Sequence, residues 1–96
     1  MTVQFGTFTK QASVANTLSI AESALRDNHF PVIFNAQQGG IVVIGGTAQV
    51  MIAVSCAAEG DQGTFVAVSA FSPDSNAAEQ ARNVVRTSIV NTAILD

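Results

Sequence analysis

Two residues near the end of the first third of the chain, Asp27 and His29, have side chains that can do acid–base chemistry. An imidazole titrates near neutral pH, and a carboxylate beside it makes it a general base. The carboxylate partner of His29 would be Asp27 or Glu59. The competing interpretation is a histidine at a helix C-terminus, where the helix dipole mildly favours the protonated ring. Because the sequence assigns no nucleophile to His29, the second interpretation is preferred.

Cys56 is the single cysteine, so the chain cannot form an internal disulfide. A reactive thiol needs partial exposure and positively charged neighbours, and no basic residue lies near Cys56 in sequence. It alternates with the apolar Ile52 and Val54 on one face of a predicted strand. We therefore expect Cys56 to be buried and unreactive, as free cysteines usually are.

Two loop patterns superficially resemble ligand sites. Glu59, Asp61 and Gln62 supply oxygen atoms, but a calcium site normally needs six to eight oxygen ligands. The pairs Gly39-Gly40 and Gly45-Gly46 match neither nucleotide-binding glycine pattern, and neither precedes a helix directly. The first pattern is typical of a solvated turn, and the glycine pairs are typical of turns or bulges. No metal and no cofactor is predicted.

The last helix carries the two remaining candidates. Ser72 stands between a strand and a helix, but it lacks the flanking glycines of a nucleophile elbow and is predicted to be a helix N-cap. Arg82 and Arg86 lie four residues apart, a spacing that can hold a carboxylate or phosphate. With Glu79 nearby, the preferred interpretation is a solvated helix face with intrahelical ion pairs.

The composition excludes several classes of function. Charged residues make up 11% of the 96 residues and the net charge is −3, whereas a typical domain is about 25% charged. The four basic residues form no stripe that would bind nucleic acid. The longest apolar run, Ile41 to Ile44, is far shorter than the ~20 residues of a membrane helix, and the N-terminus has no signal-peptide pattern. These features predict a single cytoplasmic domain.

The hydrophobic periodicity predicts the elements. Val3 to Thr9 alternates as a strand, and Ala12 to Asn28 has the apolar stripe of a helix that Pro31 terminates. Four strand-like segments follow. A hairpin turn is predicted at Gly39-Gly40, and a second turn or a bulge at Gly45-Gly46. The apolar run between these glycine pairs is predicted to be buried on both faces. The four segments are Val32–Phe34, Ile41–Ile44, Gln49–Ala57 and Thr64–Phe71.

The final predicted helix runs from Pro73 to about Ala93, with Ser72 as its N-cap. Its apolar stripe faces the sheet, and the charged residues Glu79, Arg82 and Arg86 occupy the opposite face. The stripe consists of Ala77, Ala78, Ala81, Val84, Val85, Ser88, Ile89 and Thr92.

This order, β-α-β-β-β-β-α, predicts an α+β fold: a two-layer sandwich of about five antiparallel strands with both helices on one face. A ferredoxin-like βαββαβ order is the competing interpretation. It would merge two middle strands and require another strand after Ala93, where too few residues remain.

The face of the sheet away from the helices carries the main functional prediction. It lacks the Lys, Glu and Arg that alternate on a solvated sheet face, and a large apolar patch marks an interaction site. We expect a non-catalytic domain that forms a homodimer through this face. A module that binds an apolar small molecule or a protein partner is the alternative, and an enzyme that uses His29 is the third possibility. The predicted interface residues are Met51, Ala53, Phe65, Ala67 and Phe71.

Overall fold

The structure is a computed structural model that describes residues 2–35, 42–59 and 63–92, and this part of the chain forms five strands and two helices. The elements are β1 (Thr2–Lys10), α1 (Val14–Asp27), β2 (Val32–Asn35), β3 (Val42–Gly46), β4 (Met51–Glu59), β5 (Gly63–Ser72) and α2 (Ser75–Asn91). The strands form one antiparallel sheet in the order β1-β5-β4-β3-β2, so the predicted element order and the α+β class are confirmed.

Both helices pack on the same face of the sheet. Helix α2 covers β1 and β5, α1 covers β2, β3 and β4, and the two helices contact each other. The side-chain amide of Asn28 joins the helices by donating to Ser88 Oγ at 3.0 Å. The apolar core lies between these two layers. It includes Leu18, Ala21, Leu25, Val43, Ile52, Val54, Val66, Val68, Val85 and Ile89.

Helix α1 begins two residues later than the sequence predicts. Ser13 is its N-cap, and its hydroxyl accepts a hydrogen bond from the backbone N–H of Asn16 at 3.1 Å. An N-cap hydroxyl satisfies one of the free donors of the first turn, so the helix starts at Val14 and not at Ala12. The predicted stripe is confirmed, since Leu18 and Leu25 are buried against the sheet.

The predicted N-cap of α2 is wrong. Ser72 ends β5, pairs with Thr2 of β1, and is buried. Asp74 caps the helix instead, because its carboxylate accepts from the backbone N–H groups of Asn76 and Ala77 at 2.9 and 3.4 Å. The hydroxyl of Ser72 accepts from the N–H of Asp74 at 3.1 Å, so it holds the cap residue in place.

The predicted turn at Gly45-Gly46 is wrong. An irregularity does lie beside these residues, but on the neighbouring strand, where the pairing of β2 with β3 shifts register between Val32 and Phe34, opposite Gly45 and Ile44. Both glycines belong to β3 and pair regularly with β4. Gly46 donates its N–H to the carbonyl of Pro31 at 3.0 Å, and a Cβ on Gly45 would lie 3.0 Å from the same oxygen. Close approach of the chain that enters β2 therefore requires glycine here. The β3–β4 turn lies at Thr47–Val50, where Thr47 N donates to Val50 O at 2.8 Å.

Burial on both faces, predicted for Ile41–Ile44, is not observed for residues 42–44, the part of this run that the structure describes. Val43 is buried, whereas Val42 and Ile44 are half-buried on the other face. The predicted turn at Gly39-Gly40, residues Asp61 and Gln62, and the predicted helix end at Ala93 lie outside the described residues. Among the described helices, neither combines the length and apolar character needed to span a membrane.

Candidate interaction face of the sheet

The predicted interface residues lie on the face of the sheet that neither described helix covers, here called the uncovered face. The alternation of β4 and β5 directs Ile52, Val54, Val66 and Val68 toward the helices, so the residues between them point the other way. Met51 is 41% exposed and Phe65 is 39% exposed, values that are high for large apolar side chains. Ala53, Ala67 and Phe71 are half-buried on the same face.

This face is flat at its centre and bulkier at its two ends. Ala53 lies opposite Ser69, and Ser55 lies opposite Ala67, so small side chains fill the middle of the β4–β5 pair. At one end Met51 lies opposite Phe71, and at the other Phe65 lies opposite Ala57. None of the side chains described on this face is ionisable. The surface therefore offers apolar contacts and a few hydroxyl groups to whatever packs on it.

Four further residues on the same face were missed from the sequence. Val42 lies opposite Ser55 and Ile44 opposite Ala53, while Thr7 and Thr9 of β1 lie opposite Ala67 and Phe65. The uninterrupted apolar run of β3 has no alternation from which a face could be assigned. The two threonines alternate with Gly6 and Phe8, but assigning them to this face required knowing that β1 pairs with β5.

The possible acid–base pair lies outside this face. His29 and Asp27 are both exposed at the end of α1, and no hydrogen bond or ion pair joins these two described residues. They line a groove of about 410 Å³ between the end of α1 and the first half of α2. Its other lining residues are Asn28, Phe30, Val50, Ala77, Gln80, Ala81 and Val84. The side chain of Glu59 lies outside the described part of the structure.

His29 has a backbone role that the sequence did not reveal. Its φ of 67° is in the left-handed region, and its N–H donates to the carbonyl of Arg26 at 3.0 Å. The N–H of Phe30 donates to the carbonyl of Leu25 at 2.8 Å. This pair of hydrogen bonds is a Schellman motif, which ends α1 and turns the chain toward β2.

Cys56 is buried on the helix-covered face, as the alternation of β4 predicts. Burial raises the pKa of its thiol to about 11 because the thiolate would lose its hydration. The pKa shift favours the protonated thiol, and the thiolate is the form that reacts as a nucleophile or a metal ligand. The arrangement is that of a small core residue.

Arg82 and Arg86 do not occupy a solvated helix face, so that prediction is wrong. Both are half-buried against β1, where a Cβ on Gly6 would lie 3.3 Å from Arg86 Cδ and 3.6 Å from Arg82 Cδ. The guanidinium carbon of Arg86 lies 5.2 Å from the centroid of the Phe8 ring, a cation–π distance. Arg82 donates through Nε and Nη2 to Asn83 Oδ1 at 3.1 and 2.7 Å.

The described residues form a helix layer packed on one face of an antiparallel sheet, and the side chains described on the other face carry no charge. Within the same residues, no three His, Cys, Asp or Glu side chains come together as a metal site would require. No model of a known protein family matches the chain, and no curated protein is significantly similar to it in sequence.

Proposed function

We propose that the protein is a non-catalytic domain that forms a homodimer through the uncovered face of its sheet. The observation that carries this proposal is the exposure of Met51 and Phe65 on a face whose described side chains include no charge. Antiparallel sheets with one solvated face normally alternate apolar residues with polar or charged ones. A second apolar layer on this face would remove that surface from water.

The size of the face fits a small dimer interface. Strands lie ~4.8 Å apart and rise ~3.3 Å per residue, so the sheet presents roughly 600 Å². Two such faces would bury roughly 1,200 Å² in total, the lower end of the range for stable interfaces. This area includes the two shorter strands, β2 with four residues and β3 with five.

A second copy is the occupant that this surface fits best. The described side chains of this face give a charged partner nothing to pair with, whereas two sheet faces can stack ~10 Å apart with their side chains interdigitated. The small residues Ala53, Ala67 and Ser69 allow the sheets to approach at their centres. Two-fold symmetry presents the same face twice, which is the commonest arrangement of homodimers.

Light scattering on the purified protein at micromolar concentration tests the proposal. The unmutated protein should have the mass of a dimer, and Met51→Lys should have the mass of a monomer because it places a charge on the uncovered face. Val84→Lys is the matched control, since Val84 is 42% exposed but lies on helix α2. A monomeric unmutated protein, or loss of the dimer in both variants alike, would contradict the proposal.

The groove beside His29 favours a second candidate function, the binding of an apolar small molecule. Its volume of about 410 Å³ is within the range of ligand pockets, and Phe30, Val50 and Val84 contribute apolar surface to it. A protein that remains a monomer at all concentrations would exclude the homodimer and leave this candidate. In that case Val84→Lys, and not Met51→Lys, would abolish the binding of an apolar fluorescent dye.

A further inference from the structure

The basic residues of this acidic chain gather along one edge of the sheet. Three of the four lie on β1 or on the side of α2 that packs over it: Lys10, Arg82 and Arg86. Lys10 Nζ donates to the carbonyls of Val90 and Thr92 at 3.0 and 2.6 Å. The fourth, Arg26, lies on α1 and is paired with a carboxylate of its own helix at 2.6 Å.

The two arginines reach this edge because Gly6 leaves room for them. The Cδ atom of Arg82 lies 3.6 Å from the position that a Cβ of Gly6 would occupy, and that of Arg86 lies 3.3 Å from it, closer than an ordinary van der Waals contact. The buried stripe of α2, which includes Ala81 and Val85, sits against the sheet, and the arginines are each one position further round the helix. Their side chains therefore lie over Gly6 of β1, which is one of the two edge strands, and the guanidinium carbon of Arg86 lies 5.2 Å from the centroid of the Phe8 ring.

Strand β1 has the features of an edge that can accept another strand. It pairs with β5 in unbroken register from Thr2 to Lys10, and the described sheet continues no further on its other side. It contains no proline, and its one charged residue, Lys10, is its last. Proteins usually protect an edge strand with proline, bulges or internal charges, because its outer N–H and C=O groups are a template for pairing.

We infer that the outer edge of β1 binds an extended acidic segment of a partner protein by β-strand addition. Alternate side chains of an added strand lie on the helix side of the sheet, where carboxylates would meet the guanidinium groups of Arg82 and Arg86. The main-chain hydrogen bonds supply the affinity, and the arginines select acidic residues at every second position.

Charge argues against a second copy of the chain at this edge. Antiparallel pairing of two β1 strands keeps both helix layers on the same face of the joined sheet. The arginine pairs of the two copies would then face each other across the seam, and like charges disfavour such an interface. The site is also separate from the uncovered sheet face, so both surfaces can be occupied at once.

Fluorescence anisotropy with a labelled peptide tests the inference. The probe is an acetylated, fluorescein-tagged Thr-Glu-Val-Glu-Val-Glu-Thr peptide, and its counterpart carries Lys in place of each Glu. The acidic peptide should bind with an affinity that falls as salt is raised, and the Lys peptide should not bind. Arg86→Gln should weaken binding about tenfold, since it removes a charge-assisted contact, whereas Arg26→Gln makes the same charge change on α1 and should leave binding unchanged.

Further variants separate the contact from the fold. Arg86→Lys keeps the charge and should retain most of the binding, and Arg82→Gln provides an independent loss of charge if Arg86→Gln lowers stability. Two N-methylated versions of the acidic peptide test the main-chain pairing. One version lacks the N–H donors along one edge of the added strand, and the other lacks those along the opposite edge. The version without the donors that face β1 should bind more weakly than the other. Equal binding by the acidic and Lys peptides, equal effects of Arg86→Gln and Arg26→Gln, or equal binding of both methylated peptides would overturn the inference.

Discussion

His29 has a backbone conformation that costs a residue with a Cβ roughly 1–2 kcal/mol. Glycine usually occupies this position of a Schellman motif because it adopts a positive φ without strain. The chain places histidine there at φ 67° and keeps both hydrogen bonds of the motif. Because the end of α1 positions Phe30 against the core, this local strain bears on the packing of the helix layer.

Replacing His29 should reveal the strain. His29→Gly should raise the free energy of unfolding by up to ~1 kcal/mol, the relief of strain being partly offset by the freer unfolded chain. His29→Val should lower it, because a β-branched side chain tolerates a positive φ poorly. Urea denaturation of the three proteins checks the order. If Val is tolerated as well as Gly, the left-handed conformation does not limit stability.

The thiol of Cys56 gives a prediction in alkaline solution. Its pKa is raised from 9.0 to about 11 in the folded protein by burial, so its contribution to stability is complete below pH 9. Above that pH the unfolded chain forms thiolate first, and this contribution is lost as the pH rises toward 11. Cys56→Ala should therefore show a smaller fall in urea stability over this range than the unmutated protein. The same slope in both would show that Cys56 does not contribute.

At the scale of elements, the chain connects β5 to α2 through two hydrogen-bonded residues. Ser72 is the last residue of β5, and its hydroxyl accepts a hydrogen bond from the N–H of Asp74. The carboxylate of Asp74 in turn accepts from the N–H of Asn76 and caps the helix. Asp74→Ala should lower the free energy of unfolding by about 0.5–2 kcal/mol, because two N–H groups of the first turn lose their acceptor. Asp74→Asn keeps a side-chain acceptor and should cost less. Urea midpoints measure both, and equal losses would show that the charge matters more than the cap.

The packing of α2 on the sheet gives a second test at this scale. Ala81 is 4% exposed on the buried stripe, whereas Val84 on the same helix is 42% exposed. Ala81→Asp should lower stability by several kcal/mol because it buries an unpaired charge, and Val84→Asp should change it little. The comparison is made by urea denaturation. An unmoved midpoint for Ala81→Asp would mean that this face of α2 does not pack on the sheet.

The elements show what the sequence could and could not predict. The two-residue alternation of β4 assigned Cys56 and Ile52 to the covered face, because a strand has only two faces. Ser72 was predicted as the N-cap because serine suits that position and Pro73 suits the first helical position. Asp74 is the cap instead, because β5 continues to Ser72 in its pairing with β1, a long-range contact that the sequence does not show. The position of Arg86 was missed for a similar reason, since the space above Gly6 exists only once β1 lies beneath α2.

At the scale of the whole molecule, the two faces of the sheet differ in how much apolar surface they expose. The helices cover one face of the sheet, and Met51 and Phe65 remain exposed on the other. Three of the four basic residues lie at the β1 edge, apart from the apolar surface on the uncovered face. A dimer formed through the uncovered face would thus leave the edge available to a different partner.

Self-association through the sheet face should also make the thermal midpoint depend on protein concentration. When the folded chain dimerises and the unfolded chain does not, mass action stabilises the folded state further as concentration rises. The unmutated protein and Val84→Lys should therefore melt at higher temperature when they are more concentrated. Met51→Lys should melt at one temperature throughout, because a charge on the uncovered face prevents the second copy from packing. Calorimetry over a hundredfold range of concentration, on the order of micromolar to submillimolar, measures this dependence. A midpoint independent of concentration in the unmutated protein would show that the uncovered face does not hold a second copy under these conditions.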